Sequence, residues 1–187
     1  MYLHGFNSSP GSDKARQTEA WLADSHPRVE FVCPFLSPFP DEAMVQAEAA
    51  IAGRDVVGML GSSMGGFYAT FLAEKYDCRA VLINPAVRPW EGRDYLLGDQ
   101  ANYHTGEVHH IEQSHLDQLR AYDVPELTRP ARFLVLMQTG DELLDYRQAV
   151  AKYVGANLVV EEGGDHGFQG YRQHLPDIYR FLMDADD

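Results

Sequence analysis

Val56-Val57-Gly58-Met59-Leu60-Gly61-Ser62-Ser63-Met64-Gly65-Gly66 is a short apolar run that breaks into glycines around a serine and then resumes as helix. The run predicts a buried strand, and Met64 through Tyr76 carries Phe67, Phe71 and Leu72 at helical spacing. Gly-x-Ser-x-Gly at a strand-to-helix turn is the pattern of a nucleophile elbow. There the serine holds a strained backbone conformation and the glycines keep Cβ atoms out of a crowded turn. Only Ser63 has glycine two residues before and two after, at Gly61 and Gly65; Ser62 has Leu60 and Met64 at those positions. The bare triplet arises by chance about once in 15 to 20 chains of this length, so the flanking strand and helix carry the assignment. A nucleotide-binding Walker loop is excluded because no Gly-Lys-Ser/Thr follows, and Gly-x-Gly-x-x-Gly is absent from the stretch.

Outward from the elbow, apolar runs alternate with helical patterns. Tyr2-Leu3 ends a first strand that is clipped at its N-terminal side, and His4-Gly5-Phe6-Asn7 breaks into a loop. Ser12 is a candidate cap for a helix over Asp13 to Asp24, Val29 to Cys33 reads as a second strand, and Asp41 opens a helix ending at Gly53. Ala80 to Ile83, Arg132 to Met137 and Asn157 to Val160 are further strands, with helices from Tyr146 to Tyr153 and from Tyr171 to Met183. Apolar strands alternating with helices predict one α/β domain over 1–187, a three-layer α/β/α arrangement with a mostly parallel sheet of about six strands. Right-handed crossovers bring the loops after the strands to one edge, where they converge. The segment from about 86 to 130 shows no strand pattern and carries Trp90, Tyr95, Leu96 and Tyr103. Its length and position predict a cap over a pocket.

Composition narrows the partners. Lys plus Arg is 15 against Asp plus Glu 28 in 187 residues, a net charge of −13 that repels nucleic acid and anionic membrane faces. No apolar run approaches the ~20 residues that span a bilayer, and no signal peptide is visible. Cys33 and Cys78 sit in or beside apolar runs as small buried thiols, which reads as a reduced, cytoplasmic protein.

A serine hydroxyl needs a neighbouring base. Of eight histidines, His166 alone lies in a glycine-lined turn after a late strand, Gly163-Gly164-Asp165-His166-Gly167-Phe168. The carboxylate that orients it is sought in the turn after the fifth strand: Asp141 is preferred, with Asp145 second because it suits the cap of the next helix. The backbone N–H groups of Phe6 and Met64 are the candidate oxyanion donors, and His4 reads as a structural residue holding its loop. Trp90 and Tyr95 of the cap, with Phe168 beside the histidine turn, are the candidate substrate contacts. His104, His109, His110 and His115 match no metal-ligand spacing, so no metal and no cofactor is expected.

The blocks Tyr2-Leu3-His4-Gly5-Phe6-Asn7-Ser8-Ser9-Pro10, Gly61 to Gly66, Asn84-Pro85-Ala86-Val87-Arg88-Pro89, Gln138-Thr139-Gly140-Asp141-Glu142 and Glu162 to His166 resemble the small bacterial YqiA-type esterases of the α/β-hydrolase superfamily. The resemblance implies a small hydrolase lacking the first two strands of the larger fold. Its substrate would be a small-molecule carboxylic ester of a small or apolar acyl group, cleaved through Ser63, His166 and Asp141. An acyl-CoA thioesterase using the same triad is the nearest alternative; the net charge weighs against an anionic coenzyme, although Arg88 and Arg93 form a candidate basic spot. A non-catalytic ligand-binding protein of the same fold is the alternative from another class.

Overall fold

The computed structural model describes residues 1–92 and 94–184. In chain order, β1 (Tyr2–Leu3), α1 (Asp13–Ser25), α2 (Pro40–Ile51), β2 (Gly58–Ser62), α3 (Met64–Tyr76) and β3 (Arg79–Ile83) come first. A two-stranded hairpin of β4 (Gly98–Ala101) and β5 (Val108–Ile111) follows, then α4 (Gln113–Leu119), β6 (Phe133–Gln138), α5 (Tyr146–Lys152), β7 (Asn157–Glu161) and α6 (Leu175–Met183). Five strands pair in parallel in the order β1-β2-β3-β6-β7. Every residue of β2 and β6 is buried, which explains why these runs stay apolar up to Ser62 and Gln138 at their ends rather than alternating.

The two faces of the sheet sort the core. Met59, Ala80, Leu82, Phe133, Val135 and Met137 point to the side where α2, α3 and α5 pack. Leu60, Val81, Ile83, Leu134 and Leu136 point to the side of α1 and α6, against Ala15, Leu175 and Ile178. Because all five strands run the same way, their C-terminal ends lie along one edge. The residues just past those ends are His4, Ser63, Asn84, Thr139 and Glu162.

Four expectations change. Val29 to Cys33 forms no sheet strand: Val29 N closes a turn onto His26 O at 2.9 Å, Tyr2 N donates to Val32 O at 2.7 Å, two-residue β1 has no longer ladder to offer, and Pro34 brings no N–H. The segment 86–130 contains the hairpin β4–β5, invisible to pattern reading because only Ile111 of its eight residues is buried. The last helix divides into a tight turn over Tyr171–His174 and α6, with Pro176 in the first turn of α6, where a missing N–H costs no helical bond. Ser12 precedes α1 without capping it by its side chain.

Candidate active site

Ser63 stands between β2 and α3 at φ 56° and ψ −122°, a left-handed conformation costly for any residue with a Cβ. What holds it there is close packing of the chain on both sides. A Cβ on Gly61 would lie 2.2 Å from Gly65 O, and one on Gly65 would lie 2.0 Å from Leu3 O, so neither position accepts a side chain. Ser63 N donates to Ile83 O at 3.0 Å and Ser63 O accepts from Ala86 N at 3.0 Å, tying the elbow to β3 and the loop beyond it.

His166 Nε2 lies 3.0 Å from Ser63 Oγ, and its Nδ1 lies 2.8 Å and 3.0 Å from the two carboxylate oxygens of Asp141. Asp141 is fixed in turn. Its Oδ1 accepts from Leu143 N at 2.9 Å and Leu144 N at 2.8 Å. Burial pushes this carboxyl up, but the bond from His166 and those two backbone donors prevail and hold it below the ordinary carboxylate value. Asp145 faces elsewhere, accepting from Arg147 N at 3.0 Å as the cap of α5.

Two residues not singled out from the sequence hold the histidine turn. Asn84, past the end of β3, donates from Nδ2 to Asp165 O at 3.0 Å and His166 O at 3.3 Å, and accepts at Oδ1 from Gln138 N at 3.0 Å. Gln138, the last residue of β6, accepts at Oε1 from Asp165 N at 3.2 Å and Gln169 N at 2.8 Å. The available signal was a primary amide closing each of two apolar runs, Asn84 after Ala80 to Ile83 and Gln138 after Phe133 to Met137, where a buried polar group must find partners. His166 N also donates to Glu142 Oε2 at 3.0 Å.

A cavity of 240 Å³ opens on these groups, lined by Ser63, His166, Phe6, Met64, Lys14, Tyr95, Leu96 and Tyr103 among others. The backbone N–H groups of Phe6 and Met64 meet no acceptor among the described residues, and both residues lie on that wall. Met64 N heads α3, where the helix dipole adds positive potential. His4 is buried behind them. Its Nδ1 donates to Gly5 O at 2.9 Å and its Nε2 accepts from Leu36 N at 3.0 Å, which fixes a neutral ring and the loop that carries Phe6.

Tyr95 lines the cavity, but two candidate contacts do not. Trp90 is partly buried and packs edge-on against Phe67 at 5.9 Å, beside the core cluster. Phe168 is buried on the α1/α6 face with its ring 5.3 Å from His174. Both are apolar rings taken up by packing rather than left for a ligand. A larger hollow of 850 Å³ lies at the other edge of the sheet, against Met1, Val56 and Val57 ahead of the strands, and contains none of Ser63, His166 and Asp141. Arg88 pairs with Glu91 at 3.6 Å and does not line the 240 Å³ cavity, and Arg93 lies outside the described residues. Of the clustered histidines, His109 and His115 pack on Phe39 and His110 meets Asp99 at 2.7 Å. Among the described residues no group of three or more His, Cys, Asp or Glu side chains is arranged to hold a metal, and no helix is long and apolar enough to cross a membrane.

This is the fold of the α/β-hydrolases. Est1E from Butyrivibrio proteoclasticus superposes with a TM-score of 0.71 at 13% identity, covering 97% of this chain and 85% of the other. Alpha/beta hydrolase domain-containing protein 10 from mouse gives 0.68 at 14% identity over 98% and 88% of the two chains. An S-formylglutathione hydrolase from Agrobacterium tumefaciens gives 0.60 at 16% identity over 97% and 81%. At the level of sequence, the chain belongs to the uncharacterised protein family UPF0227, whose model matches residues 1–183.

Proposed function

We propose that the protein is a serine hydrolase that cleaves small-molecule carboxylic esters through an acyl-enzyme. The observation that carries this reading is the unbroken chain of contacts from Ser63 Oγ to His166 Nε2 at 3.0 Å and from His166 Nδ1 to Asp141 Oδ2 at 2.8 Å. His166 accepts the Ser63 proton as Oγ bonds to the ester carbonyl carbon, and Asp141 steadies the imidazolium that forms. The carbonyl oxygen becomes an oxyanion held by the N–H groups of Phe6 and Met64, which cost no reorganisation because they already lack partners. Collapse breaks the ester C–O bond, and His166 returns its proton to the departing alkoxide. Water, deprotonated by His166, then attacks the acyl-serine, and the acid leaves as Ser63 regains its proton.

The segment 86–130 acts as a cap in this reading, with Tyr95, Leu96 and Tyr103 supplying an apolar wall for a small acyl group. The rest of the chain fits a reduced compartment such as the cytoplasm: Cys33 and Cys78 are free, and burial pushes their thiols up to about 12 and about 11, which makes them poor nucleophiles. The test is a fluorophosphonate probe followed by peptide mass spectrometry. The expected result is an adduct on Ser63, no adduct in Ser63→Ala, and turnover of short acyl esters by the unmodified protein. Labelling elsewhere, or none, overturns the reading. Matched ester and thioester substrates separate esterase from thioesterase use of the same triad.

A further inference from the structure

Lys14 is half-buried in the first turn of α1, yet no carboxylate among the described residues lies within 4.0 Å of its ammonium. Its one hydrogen bond runs from Nζ to Gly167 O at 2.9 Å, beside His166. An ammonium has three donors, so two remain. Lys152, the other partly buried lysine whose charge burial disfavours, has Asp123 at 4.0 Å. Lys14 lacks such a neighbour in a protein of net charge −13. Burial lowers its pKa, with Asp165, Asp13 and Asp141 opposing that from further away.

Lys14 lines the 240 Å³ cavity. So does Ser12, whose Oγ is buried and has no hydrogen-bond partner, and so does Ser8. An orphaned hydroxyl and an ammonium with spare donors in one small cavity are groups that a ligand oxygen satisfies, because buried polar atoms otherwise lose their bonds to water without replacement. Phe6, Met64, Leu96 and Leu144 give the same lining apolar side chains. The cavity therefore combines apolar side chains with a cation and hydroxyls.

We infer that the preferred substrate is an ester carrying a carboxylate joined by a short apolar stem, the carboxylate being received by Lys14 Nζ and Ser12 Oγ. This deepens the hydrolase reading and rests on it. The cation serves selection rather than chemistry: the reacting carbonyl is handled by Ser63, His166 and the two backbone donors, while Lys14 attracts the substrate's distant end. It also reverses locally the repulsion that so acidic a protein exerts on anions.

The test compares kcat/KM within two matched pairs. One puts the acid on the acyl side, the 4-nitrophenyl monoester of glutarate against 4-nitrophenyl pentanoate. The other puts it on the alcohol side, the butyryl ester of 4-hydroxybutyrate against pentyl butyrate. The expected result is a preference for the acid of about 10- to 100-fold in at least one pair, the range that one charge-assisted hydrogen bond supplies. The ratio should collapse toward one in Lys14→Met and persist in Lys14→Arg. No preference in either pair overturns the inference, and so does a Lys14→Met protein in which both members fall equally, which would make Lys14 only an anchor of the histidine turn through Gly167. If the wild-type protein cleaves no ester at all, equilibrium binding of the same pairs to Ser63→Ala decides separately: Lys14-dependent preference for the acid keeps the inference while the hydrolase reading falls, and equal binding ends both.

Discussion

The turns at the ends of the strands and the segment 86–130 that shares a cavity with them are held by different means. In the turns, buried amides do the fastening: Asn84 and Gln138 between them make six of the hydrogen bonds that join β3, β6 and the His166 turn. In the segment, Tyr95, Tyr103 and Val108 are exposed and the hairpin buries one residue in eight. It is fastened at points spread along its length, among them Ala86 N to Ser63 O at 3.0 Å, Tyr103 N to Asn7 O at 2.8 Å, Asn102 Nδ2 to Ser8 O at 3.0 Å, Tyr122 Oη to Asp41 Oδ1 at 2.7 Å and Thr128 Oγ1 to Glu74 Oε2 at 2.7 Å, with Leu116 and Leu119 in the core. Ser63, His166 and Asp141 meet where buried amides fix the backbone around them, which is the precision that the proposed proton transfer needs. The segment instead brings exposed side chains, Tyr95 and Tyr103, to the cavity.

The sharpest way to break this contrast is at its centre. Asp141→Asn keeps the size of the side chain and the bonds from Leu143 N and Leu144 N, so the fold should persist, while an amide favours the wrong tautomer of His166. We expect kcat to fall by about 10⁴. Steady-state kinetics beside a circular dichroism spectrum checks it, and near-normal turnover would remove Asp141 from the mechanism.

The next effect is smaller and tests the fastening itself. Asn84→Ala leaves Gln138 N–H buried without an acceptor and frees the carbonyls of Asp165 and His166. Stability should drop by about 1–3 kcal/mol for the unsatisfied donor, and kcat by about 100-fold as the imidazole drifts from Ser63. Tyr103→Ala, in the other region, should change stability by no more than about 0.5 kcal/mol because the ring is 80% exposed. Equal losses in the two variants, measured by urea unfolding and initial rates, would erase the distinction between the regions.

That same distinction decides what the sequence disclosed. Ser63 was legible because the elbow demands glycine at fixed offsets, and Gly61 and Gly65 each face a backbone oxygen closer than a side chain permits. His166 and Asp141 followed from chain order and from strand ends, which a parallel sheet aligns along one edge. The hairpin was not legible, since Gly98 to Ala101 and Val108 to Ile111 bury too little to alternate. Trp90 and Phe168 do not line the cavity, and an aromatic residue near a site looks the same in sequence whether its ring faces the cavity or packs elsewhere. Lys14 and Ser12 lay in an ordinary helix start, and only the fold carries them into the cavity.

The smallest expected effect concerns the loop that carries Phe6. His4 is 2% exposed, and its Nε2 must stay unprotonated to accept from Leu36 N. Burial is the main cause lowering its pKa, opposed by the bond to Gly5 O and aided by His104. The folded state therefore binds fewer protons than the unfolded state once the pH drops below about 6.5, the ordinary histidine value. Stability should decline as the pH falls through that value toward the lowered folded one, with a slope of at most about 1.4 kcal/mol per pH unit from this group, and this contribution should level off below it. Asp141, held low, adds its own loss only in the carboxylate range further down. His4→Gln offers an amide oxygen to Leu36 N and an amide N–H to Gly5 O without titrating, so its urea midpoint should vary less between pH 7 and pH 5 than that of the wild-type protein. If both proteins lose stability in parallel over that range, the titrating group lies elsewhere, and His4 holds the Phe6 loop by shape rather than by its neutral charge state.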